Sequence, residues 1–218
     1  MKRKTSAPAA PADTRSRLLN AAIDAFGQKG YEGAGIREIA AAADTNLAGI
    51  AYHFGGKDRL YRACLAHIVS TLADRVGSRL ATRLGAAPDT PEAARQALKD
   101  ILGAMAEVIL ATPRLSSFAR VIVREQMDPS PAFAILYDSF MAPMHARLCG
   151  LWAAATGKSA DSEDVKLAVF TLVGGLLVFR ITRAGVLKRL AWRDVGPKEL
   201  KSIIRRLEDN VDLLTERP

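Results

Sequence analysis

The sequence predicts an all-α fold: an N-terminal three-helix domain built on a helix-turn-helix, then a larger C-terminal helical domain, about nine helices in total. Three observations carry this. Apolar residues recur at three- and four-residue spacing along most of the chain. Glycine and proline punctuate it at Gly55-Gly56, Thr112-Pro113, Asp128-Pro129 and Gly196-Pro197. Almost no stretch alternates apolar and polar residues as a half-buried strand does.

In chain order, the first helix spans about Thr14–Lys29, capped by Asp13 and stopped by Gly30, with Leu18, Leu19, Ala22, Ile23 and Phe26 on its buried face. Two short helices follow, Gly35–Ala43 and Asn46–Phe54, joined by a turn at Asp44-Thr45. A fourth helix starts at Lys57 and runs to about Leu84. The fifth begins at Pro91, a residue suited to a first helical turn, and ends near Ala111. Leu115–Gln126 is shorter. Pro131–Ala155 is long, with a kink expected at Pro143. One long helix covers Asp161 to about Leu190, and the last runs from Gly196-Pro197 to about Leu214. Domain boundaries follow: a basic disordered arm over 1–12, the helix-turn-helix domain over 13–60 and the helical domain over 61–218.

Totals narrow the function. The 218 residues are 49% hydrophobic and 25% charged, which suits one or two globular domains. The net charge is +8, and residues 1–67 hold ten Lys and Arg against six acids, half of that excess in under a third of the chain. A basic N-terminal end fits a polyanion. Cys64 and Cys149 lie far apart without a CxxC partner, as free thiols in a reducing cytosol do. The start, MKRKTSAPAAPADT, lacks the apolar core of a signal peptide. The run Leu167–Phe179 is shorter than the roughly 20 apolar residues that span a bilayer. A cytoplasmic protein without membrane attachment is expected.

The two short helices carry the clearest chemistry. Asn46 caps the second of them. Along it Leu47, Ile50, Ala51 and Phe54 fall on one side, and Ala48, Gly49, Tyr52 and His53 on the other. Such a helix is not stable alone, so its apolar back packs on its neighbours and its front faces out. That is the geometry of a helix entering the DNA major groove. Tyr52 and His53 would contact phosphates or base edges, and Ala48 and Gly49 would let the backbone approach. Lys57 sits in the first turn of a helix, a poor place for a cation unless a phosphate is near. Arg37 is a phosphate contact or the partner of Glu38 or Asp44. The DNA-contact set is Arg37, Asn46, Leu47, Ala48, Gly49, Tyr52, His53 and Lys57.

The stretch AFGQKGYEGAGIREIAAAADTNLAGIAYHFGGKDRLY resembles the DNA-binding domain of the TetR family of bacterial repressors. Phe26, Gly30-Tyr31, Ile36-Arg37-Glu38-Ile39-Ala40, Tyr52-His53-Phe54 and Lys57 carry the match. The chain departs from the family at Ala34 and Gly35, where hydroxyl residues are usual, at Asp44, where Gly is, and at Ala51, where Tyr is common. Segments RVIVREQMDPSPAFAILYDSFMAPMHARLCGLW and VFRITRAGVLKRLAW are similar to the C-terminal domain of CecR-type members of that family. The resemblance implies a homodimeric repressor that binds a palindromic double-stranded DNA operator and is released by a small-molecule effector.

Met105, Phe118, Ile122, Gln126, Phe133, Tyr137, Met141, Met144, His145 and Phe170 are candidates for the effector pocket, as a mostly apolar cavity with a few polar groups would need. Arg120, Arg124 and Glu125 are unusual in so apolar a segment and would bind an effector or pair together. The last two helices have strong apolar faces, and Gly174-Gly175 permits close helix approach. Phe170, Gly174, Leu177, Ile203, Leu207 and Val211 are assigned to a four-helix dimer interface, which the resemblance supports.

Other classes fit less well. Gly33 and Gly35 begin a GxGxxG-like string, but Glu38 takes the place of the third glycine and no strand precedes it. His53, His67, His145 and the two cysteines lack metal-ligand spacing. No nucleophile elbow or P-loop is present, so neither an enzyme nor a cofactor or metal is expected. A helical scaffold without sequence-specific DNA binding is the alternative, and it leaves the outward Tyr52-His53 face unexplained.

Overall fold

The computed structural model describes residues 11–81, 88–111 and 115–216. Among these, every regular element is helical, and they fall into two compact units.

The first unit holds the chain up to Ile68 together with Ser117–Ile135. It contains α1 (Pro11–Gly33), α2 (Ile36–Ala42), α3 (Leu47–Phe54), the start of α4 (Lys57–Ala81) and most of α6 (Leu115–Met127). α1 begins at Pro11, so Asp13 lies inside it rather than at its cap. Gly30 breaks it with φ 74°, a conformation costly for any residue with a Cβ. Leu18, Leu19, Ala22, Ile23 and Phe26 are buried as expected, and so are Ile39, Ile50, Leu60, Leu65 and Ile68 of the same unit. Phe26 and Tyr61 meet edge to face at 4.7 Å, an arrangement worth about 0.5–1.5 kcal/mol beyond burial.

The expected boundary at residue 60 omits α6 from this unit. Polar contacts to α1 explain why it belongs there. Arg124 donates from Nε to the Gly27 carbonyl (3.2 Å) and from Nη2 to the Gln28 carbonyl (2.8 Å). These carbonyls sit just before the break at Gly30, where helix acceptors lose their own partners and a cation is favoured. Ser117 donates to the Asp24 carboxylate, and Arg120 donates to the Ser117 hydroxyl at 2.9 Å. A Cβ on Gly27 would stand 3.0 Å from the Ser117 carbonyl oxygen, so glycine is what lets α6 lie this close.

The second unit comprises Val69–Ser116 and the chain from Leu136. Its centre is α5 (Pro91–Ala111), which packs against α8 (Ala142–Thr156), α9 (Glu163–Ile181) and α11 (Pro197–Thr215). α5 is therefore buried over most of its circumference, from Ala94 to Leu110. Lys99 reaches Asp212 of α11 at 2.6 Å.

Two long helices are interrupted. The helix expected over 131–155 is α7 (Phe133–Leu136), a π turn at Tyr137–Met141, then α8. Proline has no N–H to give the carbonyl four residues back, and the chain absorbs the misfit one turn early: the Ala142 N–H bonds Tyr137 O. The helix expected over 161–190 bends by 76° between α9 and α10 (Arg183–Arg189). At the joint, Thr182 has φ −97° and its hydroxyl takes the Val178 carbonyl at 2.7 Å. A hydroxyl bonding back in this way weakens the helical ladder.

The α11 stripe assigned to a dimer interface is corrected. Ile203, Leu207 and Val211 are buried inside their own chain, on the face of α11 that packs against α5. No single helix among the described residues is long and apolar enough to cross a membrane. The arm expected over 1–12 and the break at Thr112-Pro113 lie wholly or largely outside the described residues.

Candidate nucleic-acid interface

The α2–α3 pair is held in shape by a chain of local contacts. Gly35, extended at φ −85°, precedes α2 without a side-chain cap. Past α2, Asp44 adopts φ 50°, the left-handed conformation that aspartate tolerates better than most residues. The Thr45 N–H returns to Ala40 O at 3.0 Å and closes the turn. From α1, Arg17 donates from Nε to Ala43 O at 3.1 Å. This arginine fixes the turn, and nothing in its sequence surroundings marked it out.

α3 begins as the sequence implies: Asn46 Oδ1 accepts from the Gly49 N–H at 3.1 Å. Such a cap contributes about 1 kcal/mol. Gly55 in the left-handed region ends the helix. Ile50 and Phe54 are buried at 2% and 7%, and they alone seat the helix. The expected apolar back is narrower than read, because Leu47 and Ala51 are exposed. A helix of eight residues meets its neighbours along a thin line, so residues flanking that line stay in solvent.

The outward face carries Ala48, Tyr52 and His53. Tyr52 is 84% exposed, and its ring meets that of half-buried His53 edge to face at 5.0 Å. A tyrosine so fully in water contributes little to its own fold. Gly49 is small for an internal reason as well: a Cβ there would come 2.7 Å from Thr45 Oγ1. Arg37 is exposed, while Glu38, one acid considered as its partner, pairs with Lys29 at 2.7 Å. Lys57 is placed differently from a free phosphate ligand. Its amine donates to Glu32 O at 3.2 Å and stands 4.7 Å from the centre of the Tyr31 ring. These contacts fix the ammonium at the start of α4, and it keeps further N–H donors.

The effector-pocket residues divide between the two units. Phe118, Ile122, Gln126 and Phe133 belong to the first unit; Met105, Tyr137, Met141, Met144, His145 and Phe170 belong to the second. Gln126, Tyr137 and Phe170 are exposed and Met105 is buried in α5. Neither of two open cavities involves any of the ten: one, of about 410 Å³, is lined by Arg17, Asp24, Gln28 and Glu38, the other, of about 490 Å³, by Trp192, Arg193, Lys198 and Ser202. Arg120 and Arg124 serve α6, as described. Glu125, buried at 3%, accepts the Tyr61 hydroxyl at 2.5 Å and the Ser130 hydroxyl at 3.1 Å. Of the interface residues, Phe170 and Gly174 face solvent and Leu177 is half-buried.

A capped eight-residue helix, seated by two apolar side chains and showing a phenol and an imidazole to solvent, defines a helix-turn-helix DNA-binding protein. Comparison with known proteins gives the family. The model for bacterial regulatory proteins of the tetR family matches residues 18–64, and that for the C-terminal domain of the HTH-type transcriptional dual regulator CecR matches 94–216. The HTH-type transcriptional dual regulator CecR of Shigella flexneri is 32% identical over 206 residues, 93% of this chain and 91% of that protein. A TetR-like transcriptional regulator from Rhodococcus sp. RHA1 shares the fold at TM-score 0.65 and 18% identity, over 97% of this chain and 100% of its own. So does AibR, solved in complex with isovaleryl coenzyme A and operator DNA, at TM-score 0.65 and 17% identity, over 92% and 97%. The chain belongs to the TetR family of DNA-binding transcriptional regulators and has a CecR-type C-terminal domain.

Proposed function

We propose that this protein is a cytoplasmic, homodimeric repressor that leaves a palindromic operator when a small molecule binds. The first unit is the reading domain and the second binds the effector and dimerises. The exposed face of α3 carries the reading: Tyr52 and His53 enter the major groove, Asn46, Leu47, Ala48 and Gly49 line the approach, and Arg37 and Lys57 hold phosphates. Family membership and the 84% exposure of Tyr52 support this assignment.

Dimerisation is assigned to α9. Leu167, Phe170, Gly174, Val178 and Ile181 follow one another at three- and four-residue spacing on its outward side, and Phe170 and Ile181 are 60% and 58% exposed. A stripe of that kind on a soluble chain marks a protein interface. The effector site is placed in the second unit. There the indole N–H of Trp152 is buried without a hydrogen-bond partner among the described residues, and an acceptor on a ligand would satisfy it. Met105, Met141, Met144 and His145 share that unit and are its candidate neighbours. The AibR structure, which holds both isovaleryl coenzyme A and operator DNA, supports the combination of ligand and operator in one fold. An effector that binds one dimer state more tightly shifts the population towards it and lowers operator affinity by linkage.

The test is binding to fragments of the DNA upstream of the protein's own gene. One fragment should bind far more tightly than the rest, with affinity falling steeply as salt rises. Equal affinity for every fragment would contradict the reading.

A further inference from the structure

Between Arg180 and Arg206 the chain has nine Lys and Arg residues against two acids, an excess of seven in a protein whose net charge is +8. This stretch lies in the second unit, apart from the helix-turn-helix. Its two acids are already engaged: Asp194 accepts from Arg183 and from the Val195 N–H, and Glu199 accepts from the Gly196 N–H at 3.1 Å. Among the cations, Arg183 pairs with Asp194 and Arg206 with Asp209. Lys188, Arg189, Arg193, Lys198, Lys201 and Arg205 are all exposed. On α11, Lys198, Lys201 and Arg205 follow at spacings of three and four residues, so they form one outward row with a rise of about 4.5 and 6 Å between members. The row lies opposite the buried stripe of Ile203, Leu207 and Val211.

This row works against the helix that bears it. Cations in the first turns of α11 oppose its macrodipole. Self-repulsion adds to this. A compact ligand in the neighbouring cavity would meet only Arg193 and Lys198, whereas the cations continue well beyond it. An extended anion matches an extended row.

We infer that the α10–α11 segment is a second DNA-binding surface, one that grips the phosphate backbone of duplex DNA without reading its sequence. A regulator that binds its operator through α3 is surrounded by such duplex. A backbone-binding surface of this kind lets a protein hold or bridge neighbouring DNA and raises its local concentration at the operator.

The experiment compares the full-length protein with two charge-matched variants. One is Arg193→Gln, Lys198→Gln, Lys201→Gln; the other is Arg147→Gln, Lys158→Gln, Lys166→Gln, exposed cations of the same unit outside the row. Binding to a non-operator duplex is followed by fluorescence anisotropy across a salt series. Each lost phosphate contact flattens the log–log salt slope by about 0.9, so the first variant should be flatter by about 2–3 and the second should match the parent. Equal slopes for the two variants would overturn the inference. So would loss of binding to phosphatidylglycerol vesicles with the duplex slope unchanged. Hydrogen exchange on the unmodified protein gives an answer independent of variant folding: non-operator duplex should protect residues 188–205, and unchanged exchange there would also overturn it.

Discussion

Glu125 shows how much a single buried side chain can organise. Its carboxylate is 3% exposed and is held by the hydroxyl of Tyr61 and by both the N–H and the hydroxyl of Ser130. Burial pushes the Tyr61 phenol well above its ordinary value, and the hydrogen bond to Glu125 pushes it further. Burial does the same to the Cys64 thiol. Both groups keep their protons in the folded state, so the sign of the pH effect follows. The stabilisation is complete below the unfolded values, about 9 for the thiol and 10 for the phenol, and is lost as pH rises beyond them. Urea midpoints should therefore fall as pH rises past about 9, and Tyr61→Phe should make the part of that fall above about pH 10 shallower. An identical alkaline profile in the variant would show that the phenol is not the titrating group. Side chains of this sort were not legible in the sequence. Arg120, Arg124 and Glu125 stood out as charges in an apolar stretch, yet Arg124 finds its acceptor 97 positions away and Glu125 its donor 64 away. Sequence spacing says nothing about such distant pairs.

At the scale of single elements, periodicity located helices well and their partners poorly. α3 was legible to its cap, because Asn46, Ile50, Phe54 and Gly55 act within one short segment. The stripes on α9 and α11 were equally visible, but periodicity gives a face and not what covers it. In α11 the cover is the chain's own α5; in α9 the face between Leu167 and Ile181 is open. The irregularity expected at Pro143 falls one turn earlier, at Tyr137–Met141, while the joint at Thr182 escaped the pattern because apolar spacing runs on through it. The open face of α9 leads to a direct prediction. Nothing within 4 Å would meet a Cβ on Gly174, so Gly174→Leu should leave the single chain folded. If two copies of α9 cross there, the added side chain should weaken the dimer at least tenfold, as measured by sedimentation equilibrium, with little change in helicity by circular dichroism. An unchanged dimer constant would move the interface elsewhere.

For the whole molecule, the all-α class, the order of elements, the reading motif and a division into two parts were read from the sequence, and the place of α6 in the first unit was not. α6 joins the first unit through acceptors on α1, a long-range contact that composition does not encode. The effector site was the least legible part, since an apolar side chain lining a pocket and one filling a core look alike in one dimension. The central claim concerns α3 and can be put to one measurement: operator affinity of a Tyr52→Ala, His53→Ala variant, verified as folded and dimeric, against the parent protein. Tyr52 is almost fully exposed, so stability should be nearly unchanged. Base and phosphate contacts of this kind are worth about 1–3 kcal/mol, and operator affinity should fall by roughly tenfold or more while binding to unrelated duplex changes far less. Operator affinity equal to that of the parent would contradict the account.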